Sequence, residues 1–162
     1  MPLIFNLRHL DKGDLHLQGE LTAEELELTD VDELVRLAEP IKYELVAELL
    51  PDSVLVQGQL RSNLACQCAR CLRPFTQKLE LPDWICNLPL EGEDKVTVSN
   101  DCVDLTSYIR EDTLLAFPQH PLCEPGCRGL LGRDHDSHKA AGMEEQANQT
   151  SSAWTELNKL KF

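Results

Sequence analysis

The segment from Cys66 to Phe75, Cys-Gln-Cys-Ala-Arg-Cys-Leu-Arg-Pro-Phe, places three of the chain's seven cysteines within six residues. An alternating run leads into it (Val54, Val56, Gly58, Leu60, Ser62, Leu64) and a strand-like run from Thr76 to Leu81 leads out. That pattern predicts a β-hairpin with the cysteines at its tip and Pro74 marking the exit. Cys68-x-x-Cys71 has the spacing with which two thiolates of one turn reach the same tetrahedral ion. Two thiolates cannot close a structural site, and Cys123-x-x-x-Cys127 is the only other close pair. The expected centre is a structural zinc on Cys68, Cys71, Cys123 and Cys127, joining the hairpin tip to a later loop. The same residues also fit two other readings, small buried apolar side chains or a redox pair. A redox Cys-x-x-Cys opens a helix whose dipole favours the thiolate, whereas this pair lies between strands. Cys66 shares the strand face of Cys68 and is either core or a substitute ligand. Cys86 and Cys102 lack partners and are expected in the core.

A chain of 162 residues allows one domain with a real core and room for a tail. Its hydrophobic content of 42% and charged content of 27% are ordinary for a globular protein. No run of about 18 apolar residues occurs, so no membrane-spanning helix is expected. Met1-Pro-Leu-Ile-Phe-Asn-Leu-Arg8 lacks a basic segment followed by an apolar one, so no secretory signal is read there. The expected location is the cytoplasm, where cysteines stay reduced or bind metal.

The net charge of −13 at first argues against direct nucleic-acid binding, and no DNA partner is expected. Its distribution is uneven. Residues 1–60 carry a net −9 and residues 82–127 a net −7, while residues 128–162 balance. Residues 61–81 hold Arg61, Arg70, Arg73 and Lys78 against Glu80, so the cysteine hairpin is a basic island in an acidic body. Arg70 and Arg73, beside Cys71, are the candidate binding residues, their guanidinium forks suited to phosphate or carboxylate. The plainer alternative is a pair of surface arginines whose stems cover the turn.

Along the chain, Ile4 to Leu17 is expected as extended segments on either side of a turn at Asp11-Lys-Gly-Asp14. Gly19 to Leu28 is ambiguous between strand and helix. Thr29 or Asp30 is placed to cap a helix running to Ala38, with Val31, Leu34, Val35 and Ala38 on one face. Ile41 to Leu50 alternates as a half-buried strand, turned by Pro51-Asp-Ser53 into the Val54 to Cys68 strand. Pro82 is expected to interrupt the second hairpin arm, with Trp84 to Leu90 continuing as an edge strand. Val96 and Val98 form at most a brief strand. Asp104 caps a helix that Pro118 ends. Residues 133–153 have little to bury and read as a flexible linker, with His135 and His138 solvated within it. Residues 154–162 follow as a short helix, giving a domain over 1–132 with an appended tail. The fold class is α+β, a single domain dominated by antiparallel strands with one or two helices and a cysteine knuckle at a hairpin tip.

Cys68-Ala-Arg-Cys-Leu-Arg-Pro-Phe75 resembles the signature of the YceD-like family, the large ribosomal RNA subunit accumulation proteins. Three further blocks resemble family segments in the same order. They are Asp104 to Pro118, Pro121-Leu-Cys-Glu-Pro-Gly-Cys-Arg-Gly-Leu130, and Trp154-Thr-Glu-Leu-Asn-Lys-Leu-Lys161. The resemblance implies a bacterial cytoplasmic protein without catalytic activity, often encoded beside a large-subunit ribosomal protein and needed for normal 23S ribosomal RNA levels. The implied partners are the large-subunit ribosomal RNA precursor, a large-subunit ribosomal protein, or both. Many members continue with a further Cys-x-x-Cys-Gly where this chain has Leu131-Gly-Arg-Asp-His-Asp-Ser-His138. No glycine-rich phosphate loop, Gly-x-Ser-x-Gly or His-Glu-x-x-His is present, so nothing in the residues indicates an enzyme. The alternatives are an acidic protein–protein adaptor that makes no RNA contact and a thiol redox protein.

Overall fold

The alternation leading into the cysteines becomes the first arm of a long hairpin. In the computed structural model, which describes residues 2–130, β5 (Ser53–Gln67) and β6 (Pro74–Pro89) form an antiparallel hairpin. The other arm of β5 pairs first with β4 (Ile41–Leu49) and then, nearer the cysteines, with β3 (Val35–Leu37). β2 (Leu15–Leu21) lies outside β4 and completes a five-stranded antiparallel sheet. A separate ribbon pairs β1 (Ile4–Asn6) with β7 (Cys102–Asp104), and α1 (Thr106–Leu115) follows. The expected α+β class, with strands dominant, is what the chain adopts.

The period of two decides which side of the sheet is buried. Ile41, Leu45 and Ala47 of β4, Val54, Val56 and Leu60 of β5, and Trp84, Cys86 and Leu88 of β6 all face one core. Ile109 of α1 and Leu105 just before it cover this core, with Phe5 and Val103 from the small ribbon. Trp84 Nε1 donates to Asp112 Oδ2 at 2.6 Å, pinning the helix to the strand. Leu105, not the expected Asp104, is the N-cap of α1 and makes no side-chain capping bond, while Asp104 one residue earlier accepts from the Thr106 N–H at 2.8 Å. Toward the cysteines a second cluster forms from Val35, Leu64, Cys66 and Leu79, with Phe75 and Phe117 against it. The opposite face of the sheet is mainly polar, with Ile85 exposed on it.

Several local expectations are corrected. Residues 29–38 form no helix. Asp32 Oδ1 accepts from the Leu34 and Val35 N–H groups, closing a turn that launches β3, so burial of Val35 against Cys66 outweighs the helical spacing. Leu7 to Lys12 coil into a 3-10 turn capped by Asn6 instead of extending. The ambiguous stretch from Gly19 divides, as a strand to Leu21 and a turn closed by the Leu28 N–H on the Ala23 carbonyl. Val96 and Val98 lie in no strand.

Pro82 does not interrupt β6. Gly58 pairs with Trp84 and Leu60 with Leu81, so Pro82 and Asp83 together oppose Gln59 as a bulge and the strand continues. Gly58 is required there. Its φ is +156°, and a Cβ would collide with the Glu44 carbonyl oxygen of the neighbouring strand. The linker and helix expected over residues 133–162 lie outside the described residues.

Candidate metal centre

The β5–β6 hairpin closes through a turn built almost entirely from backbone bonds. The Cys68 N–H donates to the Arg73 carbonyl and the Leu72 N–H to the Cys68 carbonyl, both at 2.9 Å. Leu72 takes a left-handed conformation, φ 57°, a position that costs a non-glycine residue about 1 kcal/mol. Gln67 holds the Leu72 carbonyl from the side at 3.1 Å. The turn thus points the Cys68 and Cys71 side chains inward while Leu72 stays exposed.

The second turn comes from the loop after α1. The Ala69 N–H donates to the Pro121 carbonyl at 2.8 Å, and the Cys127 N–H to the Glu124 carbonyl at 3.1 Å. Arg70 Nη1 reaches across to the Cys127 carbonyl at 3.0 Å and clamps the two turns together. Four sulfurs converge as a result. Those of Cys68, Cys71, Cys123 and Cys127 all lie within 4.8 Å of one another. Cys68 and Cys127 are 3.8 Å apart and Cys71 and Cys123 3.6 Å, each contact joining one turn to the other. Four thiolates bound at 2.3 Å around a tetrahedral ion stand about 3.8 Å from each other. The cluster is therefore already close to the size a metal ion requires, with Phe75 and Leu122 against it.

The electrostatics also suit a cation. Backbone N–H groups of Cys123, Cys71 and Arg70 point at the Cys68 sulfur and lower its pKa to about 6, against burial. Cys123 is pushed up to about 12, first by burial and then by hydrogen bonds with the other three thiols. A bound metal would displace thiol protons from the cluster, so its binding would weaken as the pH falls.

The structure separates the remaining cysteines from this group. Cys66 belongs to the cluster around Val35 and Leu64, where burial raises its thiol pKa, with the Asp32 carboxylate contributing. Of its two expected roles, it takes the core one. Cys86 is a core side chain, and Cys102 is half-buried and accepts from Asn6 Nδ2 at 3.6 Å. No helix starts at either cysteine pair, since α1 begins at Thr106. Arg73 is exposed and forms no ion pair among the described residues. The Arg70 clamp and the left-handed Leu72 were not foreseen. The adjacency of Arg70 to Cys71 marks it as turn-borne but does not say where its guanidinium goes.

An antiparallel sheet domain whose hairpin tip and a later loop bring four thiols together defines the class of this chain. The model of the family "Large ribosomal RNA subunit accumulation protein YceD" matches residues 56–161, more than half of the chain, and the chain belongs to that family. The match indicates no enzymatic family. An uncharacterized protein of Mycobacterium bovis and uncharacterized proteins from two strains of Mycobacterium tuberculosis are each 30% identical to it over 113 residues. The alignments cover 65% of this chain and 53% of each relative, so the chain spans about half the length of the curated relatives it matches. No solved structure matches the chain. Among the described residues no helix is long and apolar enough to cross a membrane.

Proposed function

We propose that this chain is a non-enzymatic factor of the bacterial cytoplasm that supports accumulation or assembly of large-subunit (23S) ribosomal RNA. The family match over residues 56–161 carries the reading. In it, a zinc ion sits on Cys68, Cys71, Cys123 and Cys127. All four donors are thiols and the close sulfur contacts of 3.6 and 3.8 Å fit zinc–thiolate geometry, leaving no position open for a substrate. The zinc is structural, fixing the hairpin tip as a rigid platform. Arg73 presents its guanidinium from that platform to the ribosomal RNA precursor or a large-subunit ribosomal protein. Arg70 contributes from the same turn while holding the Cys127 carbonyl.

Depletion of the protein in its own host, followed by quantifying both ribosomal RNAs, tests the role. A selective fall in the large-subunit RNA is expected, and an unchanged ratio would overturn the reading. Elemental analysis of protein purified without chelator should give about one zinc per chain. Because Arg70→Glu would also disturb the clamp, Arg73→Glu is the cleaner probe of the contact.

A second reading, the protein–protein adaptor, is favoured by one observation. A groove of about 530 Å³ runs between the β6 bulge and the end of α1, lined by Leu81, Trp84, Ile85 and Leu115 with Asp83 and Asp112. Ile85 is 63% and Leu115 83% exposed. Apolar walls with two carboxylates suit a basic protein segment carrying apolar side chains. A pulldown from lysate after ribonuclease treatment separates the readings. Undiminished recovery of ribosomal proteins would favour the adaptor, and their loss the RNA contact.

A further inference from the structure

The outer face of the sheet shows a charge arrangement that the linear sequence hides. Arg36 arises in the most acidic third of the chain, yet β3 sets it opposite Ala65 on β5, and both are exposed. Arg61 stands on the same face of β5, four residues away. Lys78 comes from β6, paired with Asn63 midway between them. Strand spacing and rise put the three cations in a patch of about 13 by 10 Å, at the end of the sheet that leads to Arg73 and the cysteine turn.

Their lack of direct ion pairs is as informative as their position, although Arg61 Nη2 donates to the Gln59 side-chain oxygen. Arg8 pairs with Asp101 and Arg110 with Glu27 elsewhere in the domain, and Lys42, the cross-strand neighbour of Arg61, pairs with Glu20. Arg36, Arg61, Lys78 and Arg73 form no ion pair among the described residues, although the chain has 28 acidic side chains against 15 lysines and arginines. Glu39 and Glu80 border the patch. Glu39 accepts from Asn63 Nδ2 at 3.1 Å, and Glu80 is the cross-strand neighbour of Arg61. Glu44 comes next on the same face and holds Gln59, whose side-chain oxygen accepts from Arg61, so carboxylates stand at the margin of the patch without pairing directly with its cations.

We propose that this cysteine-proximal half of the outer sheet face docks the sugar–phosphate backbone of helical RNA through Arg36, Arg61 and Lys78. The choice of RNA among polyanions rests on the proposed role in ribosomal RNA accumulation. The choice of helical RNA rests on the face itself. No aromatic side chain stands on it, since Tyr43, Phe75 and Trp84 all turn to the inner side. Unstacked bases would find no platform. Cations with the neighbouring polar groups of Asn63 and Thr76 instead suit phosphates and 2′-hydroxyls.

The test uses the full chain and a labelled RNA hairpin with a stem of about 16 base pairs, titrated over a range of salt. The triple variant R36Q/R61Q/K78Q should bind at least about tenfold more weakly, with a salt slope shallower by about three. The control K12Q/K95Q removes two cations from outside the patch and should bind like the unaltered chain. Equal losses in both variants, no loss in the triple variant, no hairpin binding by the unaltered chain, or tighter binding of an unstructured RNA of equal length would each overturn the inference. If the triple variant loses its circular-dichroism signature, the three single substitutions replace it, each expected to lower the slope by about one. Failure here is distinguishable from failure of the proposed role. If depletion lowers large-subunit RNA and the triple variant restores it fully, the role stands and this face is wrong. If depletion leaves the RNA unchanged, the role itself fails.

Discussion

The two ends of the β5–β6 hairpin are held by different physics. At the end under α1, Leu60, Val56, Leu88, Leu105 and Ile109 are fully buried in one apolar cluster. At the cysteine end the turn has only Phe75 and Leu122 against its thiols, and backbone bonds supply the rest of its order. The first end draws on area removed from water, a bulk and forgiving term. The second depends on four atoms meeting at one point. The difference predicts that the core end tolerates small changes in side-chain volume, whereas the cysteine end keeps or loses its order as a unit.

The strongest way to break this contrast is to disrupt the four-thiol cluster and the zinc proposed for it. Cys71→Ser or prolonged chelation should lower Tm by about 10 °C or more. Amide exchange should rise around residues 66–75 and 121–129 while the strands beneath α1 stay protected. Loss of protection throughout the sheet would show that the ends are not separable. At the other end Ile109→Ala should cost about 3 kcal/mol in denaturant unfolding, with zinc content unchanged.

A smaller effect comes from the single bond that fixes helix to strand. Trp84→Phe keeps most of the apolar volume but leaves Asp112 without its donor, for a loss of about 2 kcal/mol. If the variant matches the unaltered protein, burial alone positions α1. The smallest effect is a pH dependence at the core end. Burial, with the Asp112 carboxylate adding to it, raises the Cys86 thiol to about 11 from an ordinary 9.0. The native state then holds a proton that the unfolded chain gives up above pH 9. Stability contributed by Cys86 falls as the pH rises from about 9 toward 11, and Cys86→Val should flatten that decline.

The same contrast explains what could be read from the residues. Alternation in β4 and β5 was legible because one face of each is buried, and the thiol pairing was legible because only two close cysteine pairs exist. The stretch before β3 was misread because Val31, Leu34, Val35 and Ala38 have helical spacing. What decides there is the Asp32 turn and the burial of Val35 against Cys66, more than 30 positions away. Pro82 was misread for a related reason. A proline in a strand signals interruption unless a bulge accommodates it, and the bulge opposite Gln59 can be seen only once the register is known. The reach of Arg70 to the Cys127 carbonyl was illegible because it joins turns 57 positions apart.

The bulge in β6 has a consequence for life in a crowded solution. Among the described residues β6 is flanked by β5 alone, so a strand of 16 residues has one side without a partner strand. An edge of that length is a template on which the strand of another molecule could assemble. Pro74, Pro82 and Pro89 each lack an N–H and divide that edge into stretches of seven and six residues. The kink at Pro82 and Asp83 turns the two stretches out of line with each other, and Asp83 sets a charge at the break. An invading strand would meet a missing donor, a bend and a carboxylate within a few residues. The bulge that admits Pro82 to the sheet thus also breaks up the free edge of its longest strand.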